Sequence, residues 1–314
     1  MTAFRLPFVG LCFALLLGVV APSAADAASS SNRTPIAGDW IPASPGDEIG
    51  YYHSDLRTFY LCRDLFAEFD LDCVEYRVLD WGVGLPLMGR WQPGDTVARP
   101  ALYDPSTGNL RTYRYSDCLP AQCVTSGGLT SDATYQLGLR SATPVAGDWD
   151  GSGVDSVALV QPYTPGKLSF NGQVKYFDDG FRTFSGHAVW NYDLRGYTPI
   201  GGDWPDTFHR GDSLGFYDSN DHTILLLDGT SSIRSESLPI SFRGLPVFGL
   251  DLETGGSGIG LYFPPPPHCP SLNCHRVDLW SLPSLMFAPG QVEPPYPHMD
   301  SRFPDDPGDP TPTP

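Results

Sequence analysis

Three things are scarce in this sequence of 314 residues, and each scarcity narrows what the chain can be. Long apolar runs are the first. After the stretch from Phe8 to Val20, no segment approaches the roughly 20 apolar residues that a membrane-spanning helix needs, so no span is expected in the mature chain. Basic residues are the second: 19 Lys and Arg stand against 36 Asp and Glu, a formal net charge of −17. Nucleic acid and anionic membranes select for Lys and Arg, so neither is an expected partner. Helical periodicity is the third. Apolar spacing of three and four residues is confined to a short piece between Asp64 and Asp70, too short to count as a helix.

What is present begins with an export signal. One positive charge at Arg5, the apolar run and the small residues ending in Ala25-Asp26-Ala27 read as a secretory signal peptide over 1–27, followed by a linker over 28–34. The expected location is therefore secreted, extracellular or periplasmic. Cys12 lies in the removed part. The other six cysteines fall into three close pairs, Cys62 with Cys73, Cys118 with Cys123 and Cys269 with Cys274. An even count in an exported chain reads as disulfides, and although six cysteines allow 15 pairings, the clustering makes local pairing the simplest. His268 and His275 flank the last pair and could complete four zinc ligands, but the spacing is not a usual zinc arrangement and export favours a disulfide.

The mature part repeats itself. Pro35-Ile-Ala-Gly-Asp-Trp40 returns as Pro86-Leu-Met-Gly-Arg-Trp91, Pro144-Val-Ala-Gly-Asp-Trp149, Pro199-Ile-Gly-Gly-Asp-Trp204 and Pro246-Val-Phe-Gly-Leu-Asp251, at intervals of 51, 58, 55 and 47 residues. After each landmark come a small loop and a short strand, as in Gly46-Asp-Glu-Ile-Gly-Tyr-Tyr52, Gly94-Asp-Thr-Val-Ala98 and Gly211-Asp-Ser-Leu-Gly-Phe-Tyr217. A tight turn follows, clearest as Asp104-Pro-Ser-Thr-Gly108, and then a second strand. An alternating strand such as Val74-Glu-Tyr-Arg-Val78 returns before the next landmark. Three or four short antiparallel strands per unit is the pattern of a propeller blade. One such unit cannot bury its apolar face alone, so neighbours must stack and the ring must close. The reading is an all-β propeller of about five blades over 35–290, closed by N- and C-terminal strands. The segment Ser284-Leu-Met-Phe-Ala-Pro-Gly290 is expected to complete the blade begun near Pro35. Beyond it, 8 prolines in 24 residues predict an extended or disordered tail over 291–314.

The third copy, Pro144-Val-Ala-Gly-Asp-Trp-Asp-Gly-Ser-Gly-Val-Asp-Ser-Val-Ala-Leu159, resembles the FG-GAP/VCBS repeat of integrin α-chain propellers and of many secreted bacterial proteins. The resemblance implies a β-propeller whose loops bind calcium and whose roles are adhesion and ligand binding. Independently of it, Asp148, Asp150, Ser152 and Asp155 alternate with Gly151 and Gly153, as a hard cation wanting several oxygens from a curled loop requires. The competing use of these residues is to bond the loop's own amides. Ser152 stands where the family places a carboxylate. The other copies carry poorer sets, with Arg90 or Leu250 in place of the first Asp, and are expected to be metal-free.

Two motifs in the fourth copy read as accidents of the repeat. Gly211-Asp-Ser213-Leu-Gly215 matches a hydrolase nucleophile pattern, and Arg210-Gly-Asp-Ser213 a cell-attachment tetrapeptide. The segment aligns with Gly46-Asp-Glu48-Ile-Gly50, which puts Glu48 in the place of Ser213. The landmark tryptophans are expected to pack between blades rather than to serve as sugar platforms. The sum is a secreted, non-catalytic, monomeric module with no catalytic residue, one calcium loop, and an extracellular protein or glycan as partner. The alternative is a carbohydrate-active enzyme with carboxylates at a central funnel, for which Glu75, Asp193 and Glu236 are the acidic candidates outside the landmark loops.

Overall fold

Period-two alternation punctuated by Gly, Pro and Asp turns builds strands and little else. The computed structural model describes residues 32–42, 47–62, 73–80, 84–123, 126–161, 172–190, 196–202, 211–218, 220–221, 223–228, 232–237, 245–252, 256–263 and 276–281, and among them there is no helix. The all-β class read from the sequence is correct.

The strands fall into hairpin-linked groups that follow the repeat. The first group is β1 (Arg33–Gly38), β2 (Glu48–His53), β3 (Thr58–Cys62) and β4 (Cys73–Arg77); the second is β5 (Leu85–Gly89), β6 (Arg99–Asp104), β7 (Asn109–Tyr115) and β8 (Ser126–Gln136). Each group is antiparallel, and β4 pairs in parallel with the start of β8. Together they form one sheet in the order β1-β2-β3-β4-β8-β7-β6-β5. Its end strands β1 and β5 also lie against each other, so the eight strands nearly close on themselves.

Two four-stranded sheets follow: β9 (Thr143–Gly147), β10 (Ser156–Gln161), β11 (Gly172–Phe177) and β12 (Thr183–Trp190), then β13 (Tyr197–Gly202), β14 (Ser213–Asp218), β15 (Thr223–Asp228) and β16 (Ser232–Ser237). The last sheet holds β17 (Leu245–Leu252), β18 (Gly256–Phe263) and β19 (Arg276–Ser281). The first strand of each group lies against the first strand of the next: β5 against β9, β9 against β13, β13 against β17, and β17 against β1.

Every landmark proline sits in one of these first strands. Pro35, Pro86, Pro144, Pro199 and Pro246 stand opposite Tyr51, Leu102, Leu159, Phe216 and Leu261 of the adjoining strand. A first strand is the edge of its own group, and an edge tolerates a residue without an N–H. The Gly of the landmark has a steric reason: a Cβ on Gly89 would lie 2.8 Å from the Trp91 ring, and one on Gly147 would lie 3.0 Å from the Trp149 ring. In the fifth copy a bulge between Phe248 and Leu250 replaces this turn, and β17 continues to Leu252 where the other first strands have ended.

The core lies between groups rather than within one. Trp40, Tyr52, Phe59 and Tyr76 pack with Met88, Leu102 and Tyr113; Trp91, Ala101 and Tyr103 pack with Val157, Leu159 and Phe177; Val145, Ala158 and Val160 pack with Leu214 and Phe216. Along β6 and β10 successive residues serve opposite neighbours, so alternation here gives two apolar faces instead of one wet and one dry. Trp40 and Trp91 are fully buried in these seams, donating their indole N–H groups to the carbonyls of Cys62 and Arg99 at 3.0 and 2.8 Å. The expectation that landmark tryptophans pack between repeats holds for both; Trp204 lies outside the described residues.

Disulfides join Cys62 to Cys73 across β3 and β4, and Cys118 to Cys123 within the β7–β8 connection. Cys269 and Cys274 lie outside the described residues. So do the residues near 285 that were expected to complete the first blade; the group begun at Pro35 has its returning strand in β4. No helix among the described residues is long and apolar enough to cross a membrane.

Candidate functional site

The chemistry-bearing residues sit where each first strand hands over to the second. In the third copy, positive φ at Gly151 (71°) and Gly153 (81°) curls the chain back on itself. Asp148 then accepts the Ser152 amide at 2.9 Å on Oδ1 and the Gly153 amide at 2.8 Å on Oδ2, while Asp150 accepts the Ser152 amide at 3.0 Å. Burial raises the Asp148 carboxyl above its ordinary range, the two loop amides pull it down, and the neighbouring Asp150 carboxylate pushes it up again.

Asp155 points elsewhere. Its Oδ2 accepts the Arg90 amide at 2.7 Å, and its own amide donates to the Arg90 carbonyl at 2.9 Å, a two-way clamp onto the preceding repeat. Burial pushes its carboxyl up to about 6, against the Arg90 amide and charge. Of the four residues singled out as calcium ligands, the structure thus brings Asp148, Asp150 and Ser152 together in one loop and directs Asp155 to Arg90. Among the described residues, no three or more His, Cys, Asp or Glu side chains gather in a group that could hold a metal ion.

The same clamp recurs one repeat later. Asp212 Oδ2 accepts the Asp148 amide at 2.7 Å and the Asp212 amide donates to the Asp148 carbonyl at 2.8 Å. This carboxylate belongs to the Arg-Gly-Asp match, and it is spent on the neighbouring sheet; Arg210 lies outside the described residues. Ser213 is buried at the start of β14, paired with Gly202, which is not the strand-turn-helix elbow that a hydrolase nucleophile needs. Glu48 holds the equivalent station opposite Gly38, as the alignment of the two copies requires. Its Oε2 accepts the Trp40 and Ile41 amides at 2.9 and 3.1 Å.

The second copy departs most. Arg99 stands opposite Gly89, the station of Glu48, Ser156 and Ser213, so Ala98 rather than Asp95 is the counterpart of Asp155 and Asp212. The sequence alignment that equated Gly94-Asp95 with Gly46-Asp47 is corrected accordingly: nine residues separate Gly89 from Arg99, as nine separate Gly38 from Glu48, so Ala98 rather than Asp95 stands in the place of Asp47. Having no carboxylate, Ala98 keeps only the backbone half of the clamp, its amide donating to the Asp39 carbonyl at 2.5 Å, and the Arg90–Asp39 ion pair ties the same seam.

Asp95 is freed for another task. The buried Arg99 guanidinium bonds Asp95 at 2.6 and 2.8 Å and Asp132 at 2.9 Å, and Asp132 also takes Arg114 at 2.7 Å and Gln92 at 3.0 Å. This network escaped the sequence reading. Its one visible signal was an Arg where other copies have Glu or Ser. Glu75 lies on β4, three strands from β1 and exposed; Asp193 lies outside the described residues. No protein-family profile matches the chain, and no curated protein matches it.

Proposed function

We propose that this chain is a secreted, non-catalytic β-propeller of five FG-GAP/VCBS-like blades that binds an extracellular protein or glycan through its landmark-loop end. The observation that carries the reading is the cyclic order of the first strands, β1-β5-β9-β13-β17 and back to β1. Backbone bonds tie the residues that follow β1, β5 and β9 to those that precede β6, β10 and β14, Asp39 to Ala98, Arg90 to Asp155 and Asp148 to Asp212, which supports one shared end for the landmark loops. Rigid strands beneath clustered loops are the usual arrangement for a binding surface. Two disulfides suit an oxidising compartment.

The third loop would take a calcium ion through Asp148 and Asp150 with Ser152 beside them, and water or backbone carbonyls would fill its remaining positions. The fit rests on two carboxylates close enough to hydrogen-bond, whose mutual repulsion a cation relieves. What the ion supplies is charge and loop order.

The test uses the mature chain, 28–314. A glycan array and an extracellular-protein pull-down are run in calcium and in chelator, beside a screen with aryl glycosides. Saturable binding without turnover supports the reading; glycoside hydrolysis overturns it. A thermal melt in calcium should rise by several degrees over chelator, and Asp148→Ala with Asp150→Ala should abolish the shift. An unchanged melt removes calcium.

A further inference from the structure

The first two groups are joined into one sheet at their last strands, β4 and β8, by a device that the other groups do not share among the described residues. Between β7 and β8 the chain leaves the second group, and residues 116–123 form a small loop bridged by Cys118–Cys123. The first residues of β8 then pair in parallel with β4: Ser126 with Glu75, Gly127 with Tyr76, Gly128 with Arg77. Everything in this crossing converges on Tyr76. Its hydroxyl donates to the Cys118 carbonyl at 2.9 Å and lies 3.2 Å from Cys123 Sγ. Its ring meets Tyr115 edge-on at 5.0 Å, and a Cβ on Gly127 would lie 2.2 Å from Cε1 of the Tyr76 ring. Half of the loop faces solvent: Ser116, Asp117, Ala121 and Gln122 are exposed, Cys118 is half-buried, and Pro120 and Cys123 are buried.

We infer that residues 116–123 and 126–128 are a redox-sensitive strap, which covers the edge of β4 while Cys118 and Cys123 are bridged and lifts from it when a dithiol reduces that bridge. The bridge keeps the Cys118 carbonyl and the Cys123 side chain together on Tyr76; without it each must be placed separately against the freedom of an exposed loop. In the exchange, a thiolate of the dithiol attacks the more accessible Cys118 sulfur, the S–S bond breaks, and Cys123 departs as a thiolate. The Tyr76 hydroxyl is placed to donate to that departing thiolate. The second thiolate of the dithiol then displaces Cys118 from the mixed disulfide. Two electrons and two protons have passed to the protein, which holds two thiols, and the reductant is left as a disulfide. Lifting the strap bares the β4 edge, which carries unpaired backbone groups able to accept another strand.

Hydrogen exchange read by mass spectrometry on the mature chain tests this. The Cys118→Ser/Cys123→Ser variant, with Cys62–Cys73 intact, should exchange the amides of 74–77 and 126–128 faster by on the order of tenfold, while β10 and β14 keep the wild-type rate. Wild-type protein in dithiothreitol should show the same pattern at doses where differential alkylation finds Cys118 and Cys123 reduced and Cys62–Cys73 intact. Unchanged protection of 74–77 in either experiment overturns the strap, and so does a rise spread evenly over all sheets, because the bridge would then support the whole fold.

Discussion

Replacing Asp155 by Asn probes the seam between the second and third groups through one charge. The folded chain raises this carboxyl from the ordinary 3.8 to about 6, burial outweighing the Arg90 amide and guanidinium. The native state therefore holds the proton more tightly than the unfolded chain does. Its contribution is most favourable below about pH 4, is lost as the pH climbs from about 4 to about 6, and stays lost above. At about 1.4 kcal/mol per pH unit of difference, the ionised form costs the native state about 3 kcal/mol at neutral pH. Asp155→Asn keeps an oxygen for the Arg90 amide and removes the charge. The variant should be more stable than the parent by up to about 3 kcal/mol near pH 7.5, with the gap closing toward pH 4. At about 2–4 °C per kcal/mol for a chain of this size, the Tm difference is about 6–12 °C.

Thermal and urea melts of both proteins from about pH 4 to pH 8, in chelator, measure it. Taking the difference between the two cancels the carboxylates that do not interact with Asp155; the charges of Asp148 and Asp95, which help to raise it, enter the gap with the same sign. A variant less stable than the parent near pH 7.5, or a gap that does not change with pH, refutes the reasoning. Added calcium gives a second reading. An ion ligated by Asp155 erases the gap, whereas an ion held by Asp148 and Asp150 leaves it in place.

Other outcomes follow from single contacts. Asp212→Ala orphans the Asp148 amide and should cost about 1–3 kcal/mol in a urea melt, while Asp212→Asn, which keeps an acceptor, should cost well under half of that. If the Arg-Gly-Asp match were an attachment site instead, both variants would lose cell binding without losing stability. Arg99→Met leaves Asp95 and Asp132 without their shared cation and should cost about 3–5 kcal/mol, a loss that simultaneous Asp95→Asn and Asp132→Asn should partly restore. Gly108→Ala puts a side chain at φ +76°, with its Cβ 3.1 Å from the Leu139 carbonyl, and should lower stability by about 1–2 kcal/mol.

Much of the architecture was legible because it is written locally. The landmark Pro and Gly, the Asp104 to Gly108 turn and the alternating strands each depend on residues a few positions apart. The turn forms as its composition demands, with Asp104 accepting the Ser106 amide at 2.8 Å and Gly108 at positive φ. Local cysteine spacing likewise gave both described disulfides. Arg57 shows the limit of such rules. It takes φ +51°, and its carbonyl accepts the Val78 amide just as that of Gly108 accepts the Leu137 amide, so packing imposes the backbone on a residue that does not prefer it.

The site was less legible, because its partners are distant in sequence. Asp155 meets Arg90 65 residues away, Asp212 meets Asp148 64 away, and Arg99 meets Asp132 33 away. The parallel pairing of β4 with β8 likewise joins two repeats that read in sequence as separate units.

By itself the sequence determined the strands, their turns and the station of each landmark, since backbone preference and side-chain period act over a few residues. The tertiary structure alone decided what each loop carboxylate does. An Asp beside Gly has the same local chemistry whether it faces a cation, its own loop or a neighbouring sheet; for Asp155 and Asp212 the choice fell to the amide that the adjacent sheet presents at hydrogen-bonding distance.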